Sequence, residues 1–413
     1  VNDTGLEIAR ALESGASERE ITERLVSKYA IGADQARRDV RYVLDELTEA
    51  QFVNDEGWTT PRTRRLGSLY FHLTTRCNLS CPHCYVSCPE ASHDEPRDMA
   101  TRDVLRLIDE AAAAGARAIT LSGGEPLLHP EIRAIIAHGS SKVGVSVLTN
   151  GTLIDGDWAA FLAEHDVDVQ VSLDGSTAAI HDQLRGRGSF DRALNAVDLL
   201  QKAGLRDRLN FCTTLMSQNL SDLEAIIKLT ERLGVPLVRF IPLRRTGTAE
   251  TTWDSIGSDL RVDDHAAFYR YTEELREKGE CSIHVSCGLS GFVLTNNKDD
   301  DLWCPAGEQL VIDTAGDVFP CVLLMRDEDR LGNIHDDSIS HLCASEGMAR
   351  FCDILDNRRR KIGECVACSW RNLCQGGCMG IALDHKGTVW DRDLFCDYRK
   401  DAYRRAFDRL LRS

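Results

Sequence analysis

The residues best equipped for chemistry are the cysteines of one short run, Cys77-Asn78-Leu79-Ser80-Cys81-Pro82-His83-Cys84. Thiolate is the usual ligand of iron–sulfur clusters. Three thiolates at x3 and x2 spacing can hold three corners of a cubane and leave its fourth iron open. An open iron can take a small chelating ligand, an arrangement for catalysis rather than storage. A structural zinc site is the alternative, but it wants four ligands, usually from paired C-x2-C units. Cys88 would have to close such a site. A second cysteine system fills the last third of the chain: Cys304, Gly316 and Cys321, then Cys365-x2-Cys368-x5-Cys374-x3-Cys378, then Cys396. The x2, x5, x3 run offers too many thiolates for one zinc ion.

These residues need elements to position them. Upstream of Cys77, Ser68-Leu69-Tyr70-Phe71-His72-Leu73 is short, apolar and aromatic, so it reads as a buried strand with the cysteines on the loop that leaves it. Between about 66 and 285, strand-like runs at 69–73, 118–121, 144–148, 168–173, 209–215 and 237–242 alternate with helical runs such as 102–114 and 191–202. Repeated βα units imply a parallel sheet, and six of them fit an incomplete barrel. Active sites of such barrels collect at the C-terminal ends of the strands. Three motifs fall there: Ser122-Gly123-Gly124-Glu125-Pro126, Thr149-Asn150-Gly151 and Ser172-Leu173-Asp174-Gly175. Glycines let backbone approach a ligand closely, a carboxylate accepts from an ammonium group, and a serine hydroxyl suits a ribose hydroxyl. The first two motifs also fit ordinary tight turns.

Cys77, Cys81, His83 and Cys84 match C-x3-C-x-aromatic-C, so the chain resembles the radical SAM (S-adenosylmethionine) enzymes. The resemblance implies that the open iron binds the amino and carboxylate groups of SAM. Reductive cleavage would give a 5′-deoxyadenosyl radical that takes hydrogen from a substrate. It also implies that Gly123, Gly124 and Glu125 hold the methionine end, that Ser172 and Asp174 lie at the ribose, and that His83 abuts adenine. Arg185 or Arg187 would pair with the SAM carboxylate, since guanidinium forks match carboxylates.

The seven C-terminal cysteines are similar in spacing to the SPASM domain of radical SAM peptide and quinone maturases. This implies two auxiliary 4Fe–4S clusters, three in all. Cys365, Cys368, Cys374 and Cys396 would close one, and Cys304, Cys321 and Cys378 would hold three corners of the other. Between Cys304 and Cys321 there is no further cysteine. The fourth ligand is then Cys287, Cys281 or absent, and an open iron there could take a substrate thiolate. Cys212 reads as a small buried hydrophobe, and Arg358-Arg359-Arg360-Lys361 as a solvated face near the clusters.

Residues 1–60 read as a separate module. A helical run over 5–12, a capping box of Ser17 and Glu20 opening a helix through Ile21, Leu25 and Tyr29, and a third helix over 33–50 with Val40, Val43, Leu44 and Leu47 on one face precede Phe52-Val53 and Trp58, which suggest a hairpin. Three helices and a hairpin make a winged-helix pattern. Its many acidic residues argue against binding DNA phosphates. The stretch resembles the small peptide chaperone of the pyrroloquinoline quinone pathway (PqqD-like), relatives of which grip leader peptides by β-augmentation. That family begins with strands ahead of the segment matching Asn2-Asp3-Thr4-Gly5, which here stands at the first residues.

The 413 residues suggest two or three domains. We expect an α/β fold: a partial (β/α)6 TIM-type barrel over 66–285, an N-terminal winged-helix-like domain over 1–60, and a cysteine-rich iron–sulfur domain over 286–413. A net charge of −16 argues against a nucleic-acid partner. No run reaches the ~18 apolar residues of a membrane span, and no basic-then-apolar leader opens the chain. Sixteen cysteines in a long chain point to metal binding in a reducing cytoplasm. The expected activity is oxidative modification of a ribosomally made precursor peptide, such as a thioether cross-link, with flavodoxin or ferredoxin as electron donor. Haem-pathway chemistry on porphyrin side chains, sulfatase-type maturation and a redox-sensing regulator are the alternatives.

Overall fold

The computed structural model describes residues 3–13, 16–49, 65–86, 95–256, 262–287 and 306–410. Phe52, Val53, Trp58, Cys88 and Cys304 lie outside the described residues, as do the side chains of Leu47 and Cys287. Two compact units form, one from 64–288 with 305–352, the other from 1–63, 289–304 and 353–413.

The first unit is built on one ten-stranded sheet. Six parallel strands run in chain order, β1 (Ser68–His72), β2 (Ala118–Ser122), β3 (Gly144–Thr149), β4 (Asp168–Ser172), β5 (Leu209–Leu215) and β6 (Leu237–Pro242). All six were expected from their apolar runs. Four further strands were not. β7 (His284–Cys287) pairs parallel to β6, β8 (Gln309–Ile312) pairs parallel to β1, and β9 (Asp317–Phe319) and β10 (Gly332–Asn333) follow antiparallel beyond β8. Each has four residues or fewer, too short for a periodic signal. Gly316 turns the β8–β9 connection at φ +83°, where an added Cβ would meet Ile334 at 2.7 Å.

Side-chain alternation divides the sheet into two faces. Leu69, Phe71, Ile119, Leu121, Val145, Val147, Val169, Val171, Phe211, Val238 and Phe240 are buried. Helices such as Thr101–Ala113 match them with apolar stripes, here Val104, Leu107, Ile108 and Ala111 at helical spacing. The other face is polar. Tyr70, Thr120 and Ser146 stand in one register row, His72 and Ser122 in the next, and Ser172, Cys212, Arg239 and Ser286 in a third. A closed barrel fills that space with branched aliphatics; this one keeps it hydrophilic.

In the second unit, α1 (Asp3–Glu13), α2 (Glu18–Tyr29) and α3 (Ala33–Glu49) form a three-helix group. The capping box that opens α2 is present, with Ser17 N–H donating to Glu20 at 2.7 Å and Glu20 N–H to Ser17 Oγ at 3.3 Å. Ile8, Ala11, Leu12, Ile21, Leu25, Ala36, Val40 and Val43 form its core. Residues 353–410 contribute short helices and the long helix Cys396–Leu410. Among the described residues, no helix is long and apolar enough to cross a membrane.

Candidate functional site

The cysteine loop after β1 is clasped by loops from four other strands. After β2, Gly124 N–H donates to Thr74 O and Glu125 N–H to Arg76 O, both at 2.7 Å. A Cβ on Gly123 would lie 2.5 Å from Thr74 O, and one on Gly124 2.2 Å from Arg76 O, so both positions require glycine for this approach alone. After β3, Asn150 donates to Asn78 at 2.9 Å, and Asn78 in turn to Thr152 at 2.8 Å. After β4, Asp174 pairs with His83. After β6, Ala249 N–H donates to Cys84 O at 3.0 Å and Thr252 Oγ1 to Pro82 O. Cys77, Cys81 and Cys84 are thus presented, half-buried, on a braced loop at the C-terminal ends of the strands.

Glu125 and Asp174 anchor this bracing. Glu125 is fully buried and accepts from Thr149 Oγ1 at 2.8 Å, Asn150 N–H at 2.8 Å and Leu127 N–H at 3.2 Å. Burial pushes its carboxyl up to about 7 despite those bonds and the nearby Arg185. Asp174, also fully buried, faces His83 Nε2 at 3.0 Å and Arg185 Nε at 2.5 Å, and accepts from Thr214 N–H at 2.8 Å. Burial alone would raise its pKa; the charges of Arg185 and His83 outweigh that and hold it well below the carboxylate range. His181 receives Asp174 N–H at 3.1 Å, and burial, aided by Arg185, lowers its imidazole to about 4. Arg185 is nearly enclosed beside Asp174, whereas Arg187 is exposed. Ser172 is half-buried on the polar face at the end of β4. Gly175 lets the helix Ala178–Arg185 come close, since a Cβ there would meet His181 N at 2.6 Å.

The donor set fits a cluster with an organic ligand beside it. Three thiols share the loop; burial pushes the Cys81 thiol up to about 11, and coordination to iron would displace that proton. His83 Nδ1 is buried without a hydrogen-bond partner, an atom that a bound group would satisfy.

Four of the seven cysteines of the second system, the set that the resemblance implied for one cluster, come together. Cys365, Cys368, Cys374 and Cys396 line one cavity. Four thiols facing one cavity are the donor set of a 4Fe–4S cluster. Tight turns aim them, with Cys368 N–H donating to Cys365 O at 3.0 Å and Cys374 N–H to Trp370 O at 2.8 Å. Asp393 accepts Cys378 N–H at 2.6 Å and pairs with buried Arg399. Arg358 corrects the expectation of a solvated basic face. It is fully buried, and its guanidinium donates to the carbonyls of Val389 at 2.6 Å, Gly377 at 2.7 Å and Asp391 at 2.8 Å. Its fork is spent on the backbone that carries Cys378.

Comparison with known proteins agrees with this geometry. The model of the radical SAM superfamily matches residues 71–230, that of coenzyme PQQ synthesis protein D (PqqD) residues 1–53, and that of the SPASM iron–sulfur cluster-binding domain residues 304–369. The mycofactocin maturase MftC of Mycolicibacterium smegmatis is 30% identical over 331 residues, spanning 76% of this chain and 80% of the relative. The chain belongs to the radical SAM superfamily. An Fe-coproporphyrin III synthase of Methanosarcina barkeri is 33% identical over 361 residues, spanning 80% of this chain and 88% of the relative. The fold is shared with Streptococcus suis SuiB, solved with the precursor peptide SuiA (TM-score 0.66, 15% identity, 89% of this chain and 81% of that one).

In this radical SAM enzyme the signature thiols and the glycine pair meet at the C-terminal ends of the strands, and four of the C-terminal thiols share one cavity. Of the remaining auxiliary set, Cys321 follows β9, where Arg244 holds the loop through the carbonyls of Val322 at 2.9 Å and Leu323 at 3.1 Å. Cys378 is buried, Cys304 lies outside the described residues, and Cys281 donates its thiol to Ile283 O at 3.5 Å. Sequence reasoning missed the bracing residues Asn78 and Thr252, and read Asn150 only as part of a turn motif after β3. Asn78 had a signal in its place inside the cysteine run; Thr252 had none.

Proposed function

We propose that this radical SAM enzyme oxidatively modifies a ribosomally made precursor peptide, forming a thioether or another cross-link. Cys77, Cys81 and Cys84 would hold the SAM-binding 4Fe–4S cluster, with Gly123, Gly124, Glu125, Ser172, Arg185 and His83 around the nucleoside and methionine ends. Bound there, cluster and SAM supply one-electron cleavage of SAM and hence hydrogen-atom abstraction. Asp174 then acts by holding His83 and Arg185 in place. Glu125 acts by joining the glycine loop to the loop after β3. The polar face of Tyr70, Ser122, Ser172 and Cys212 would line the substrate chamber and give peptide groups hydrogen-bonding partners.

The observation that carries this reading is the cavity of Cys365, Cys368, Cys374 and Cys396. These residues would hold a cluster there, and such a cluster would supply an electron acceptor for the substrate radical. Cys304, Cys321 and Cys378 would hold the third cluster, with Cys281, Cys287 or a substrate thiolate on its fourth iron. The functional modules would be 1–60 for the leader peptide, 66–285 for SAM, and 286–413 for the auxiliary clusters. The many free thiols fit a reducing cytoplasm with flavodoxin or ferredoxin as donor. Porphyrin chemistry is the second reading, favoured by the 33% identity to the Fe-coproporphyrin III synthase; the PqqD-like module favours a peptide.

Iron analysis of anaerobically purified protein tests the cluster count. Thiolate-ligated cubanes in three sites predict about twelve irons per chain, falling to about eight when Cys77, Cys81 and Cys84 become alanine. About four irons in the parent would remove the auxiliary clusters, and the peptide reading with them.

A further inference from the structure

The core of the N-terminal three-helix module does not end with the module. Trp370, Tyr403 and Phe407 are buried in the same cluster as Ile8, Ile21, Leu25 and Val40, and Cys368 and Cys374 pack against it. Trp370 stands between those two cysteines in sequence, with its ring centroid 5.8 Å from that of Tyr403 and 5.8 Å from that of Phe407. Aromatic side chains bury on the order of 150–250 Å² each, so this seam is a large share of a small core.

The helix Cys396–Leu410 has two duties along its length. Cys396, Arg399, Lys400 and Tyr403, at i, i+3, i+4 and i+7, line the four-thiol cavity. Tyr403 and Phe407 enter the module's core. Tyr403 and Trp370 therefore belong to both environments at once. A cluster in the cavity would cross-link the two segments that carry these rings, in addition to the Arg399–Asp393 pair and the shared apolar core.

We propose that the N-terminal module packs behind two residues that line the four-thiol site, Trp370 and Tyr403, so that loading of a cluster there orders the module and licenses it to hold a peptide. A chain without this cluster then presents a loosened recognition module, and substrate is captured only by enzyme able to complete the oxidation. The proposal rests on the assignment of Cys365, Cys368, Cys374 and Cys396 as cluster ligands.

The test compares full-length reconstituted wild type with the double variant Cys365→Ser, Cys396→Ser, whose sites are not among those packed on the shared core. Iron content and amide hydrogen exchange are read on both. We expect a loss of about four irons and at least tenfold faster exchange in Glu18–Tyr29 and Ala33–Glu49, with Leu209–Leu215 unchanged. Iron loss with unaltered exchange in those two helices would overturn the coupling. Full retention of iron would overturn the ligand assignment and the proposal with it. The same exchange comparison on wild type before and after reconstitution removes any effect of the serines themselves: it must show slower exchange in Glu18–Tyr29 and Ala33–Glu49 once the clusters are loaded.

Discussion

Glu125 makes folding of the barrel unit pH-dependent in a window open to measurement. Its carboxyl is fully buried and rises from an ordinary 4.5 to about 7. At about 1.36 kcal/mol per pH unit, ionising it costs the folded state about 3 kcal/mol more than the unfolded one. Because the folded pKa is the higher, this contribution is fully present below 4.5 and is lost as pH rises through 7. Glu125→Gln removes the ionisation. It also sets an amide NH₂ against one of the donors that now point at the carboxylate, which costs about 1–3 kcal/mol in a buried site. The variant should be the less stable of the two at pH 4.5. It should regain about 3 kcal/mol relative to wild type by pH 8. Urea unfolding of the cluster-free chain from pH 4.5 to 8 reads this directly. Exchange protection at Asn150, whose N–H donates to Glu125, reads it locally. Parallel pH slopes for the two proteins would refute the reasoning, since the difference between them has no other titrating source.

Asp174→Asn leaves Arg185 nearly buried without its counter-charge, and breaking such a pair costs about 3–5 kcal/mol. In wild type the lowered carboxyl keeps this contribution through neutral pH and loses it only as pH falls below the ordinary 3.8, which urea midpoints across the acid range will show. Gly124→Ala puts a Cβ 2.2 Å from Arg76 O. Backbone cannot yield that far, so the cysteine loop should shift and about four irons per chain should be lost from the SAM site alone, read by iron analysis. Arg358→Met strips donors from three carbonyls; at about 1–3 kcal/mol for each buried orphan, the unit should lose at least about 3 kcal/mol. Arg358→Lys should rescue little in the same denaturation assay, because an ammonium point charge cannot reproduce the planar fork.

The sequence by itself determined what depends on local spacing. Both cysteine systems, the six main strands and the Ser17–Glu20 cap were legible because ligand spacing, apolar runs and capping involve residues close along the chain. The glycines of Ser122-Gly123-Gly124 were legible as a site of close approach; that the approaching chain is 74–76 was not. Only the tertiary structure decided which partners the motif residues face. Asp174 could have met a ligand hydroxyl, yet its carboxylate is taken up by His83 and Arg185. Glu125 turns to Thr149 and Asn150. A burial environment is made by elements distant in sequence, so it writes no local pattern. For the same reason Arg358 looked like one more charge in a basic run, and no local pattern singled out Trp370. Their roles exist only once Gly377, Val389 and Asp391 close around the one guanidinium, and once helices from the first fifty residues close over the other ring.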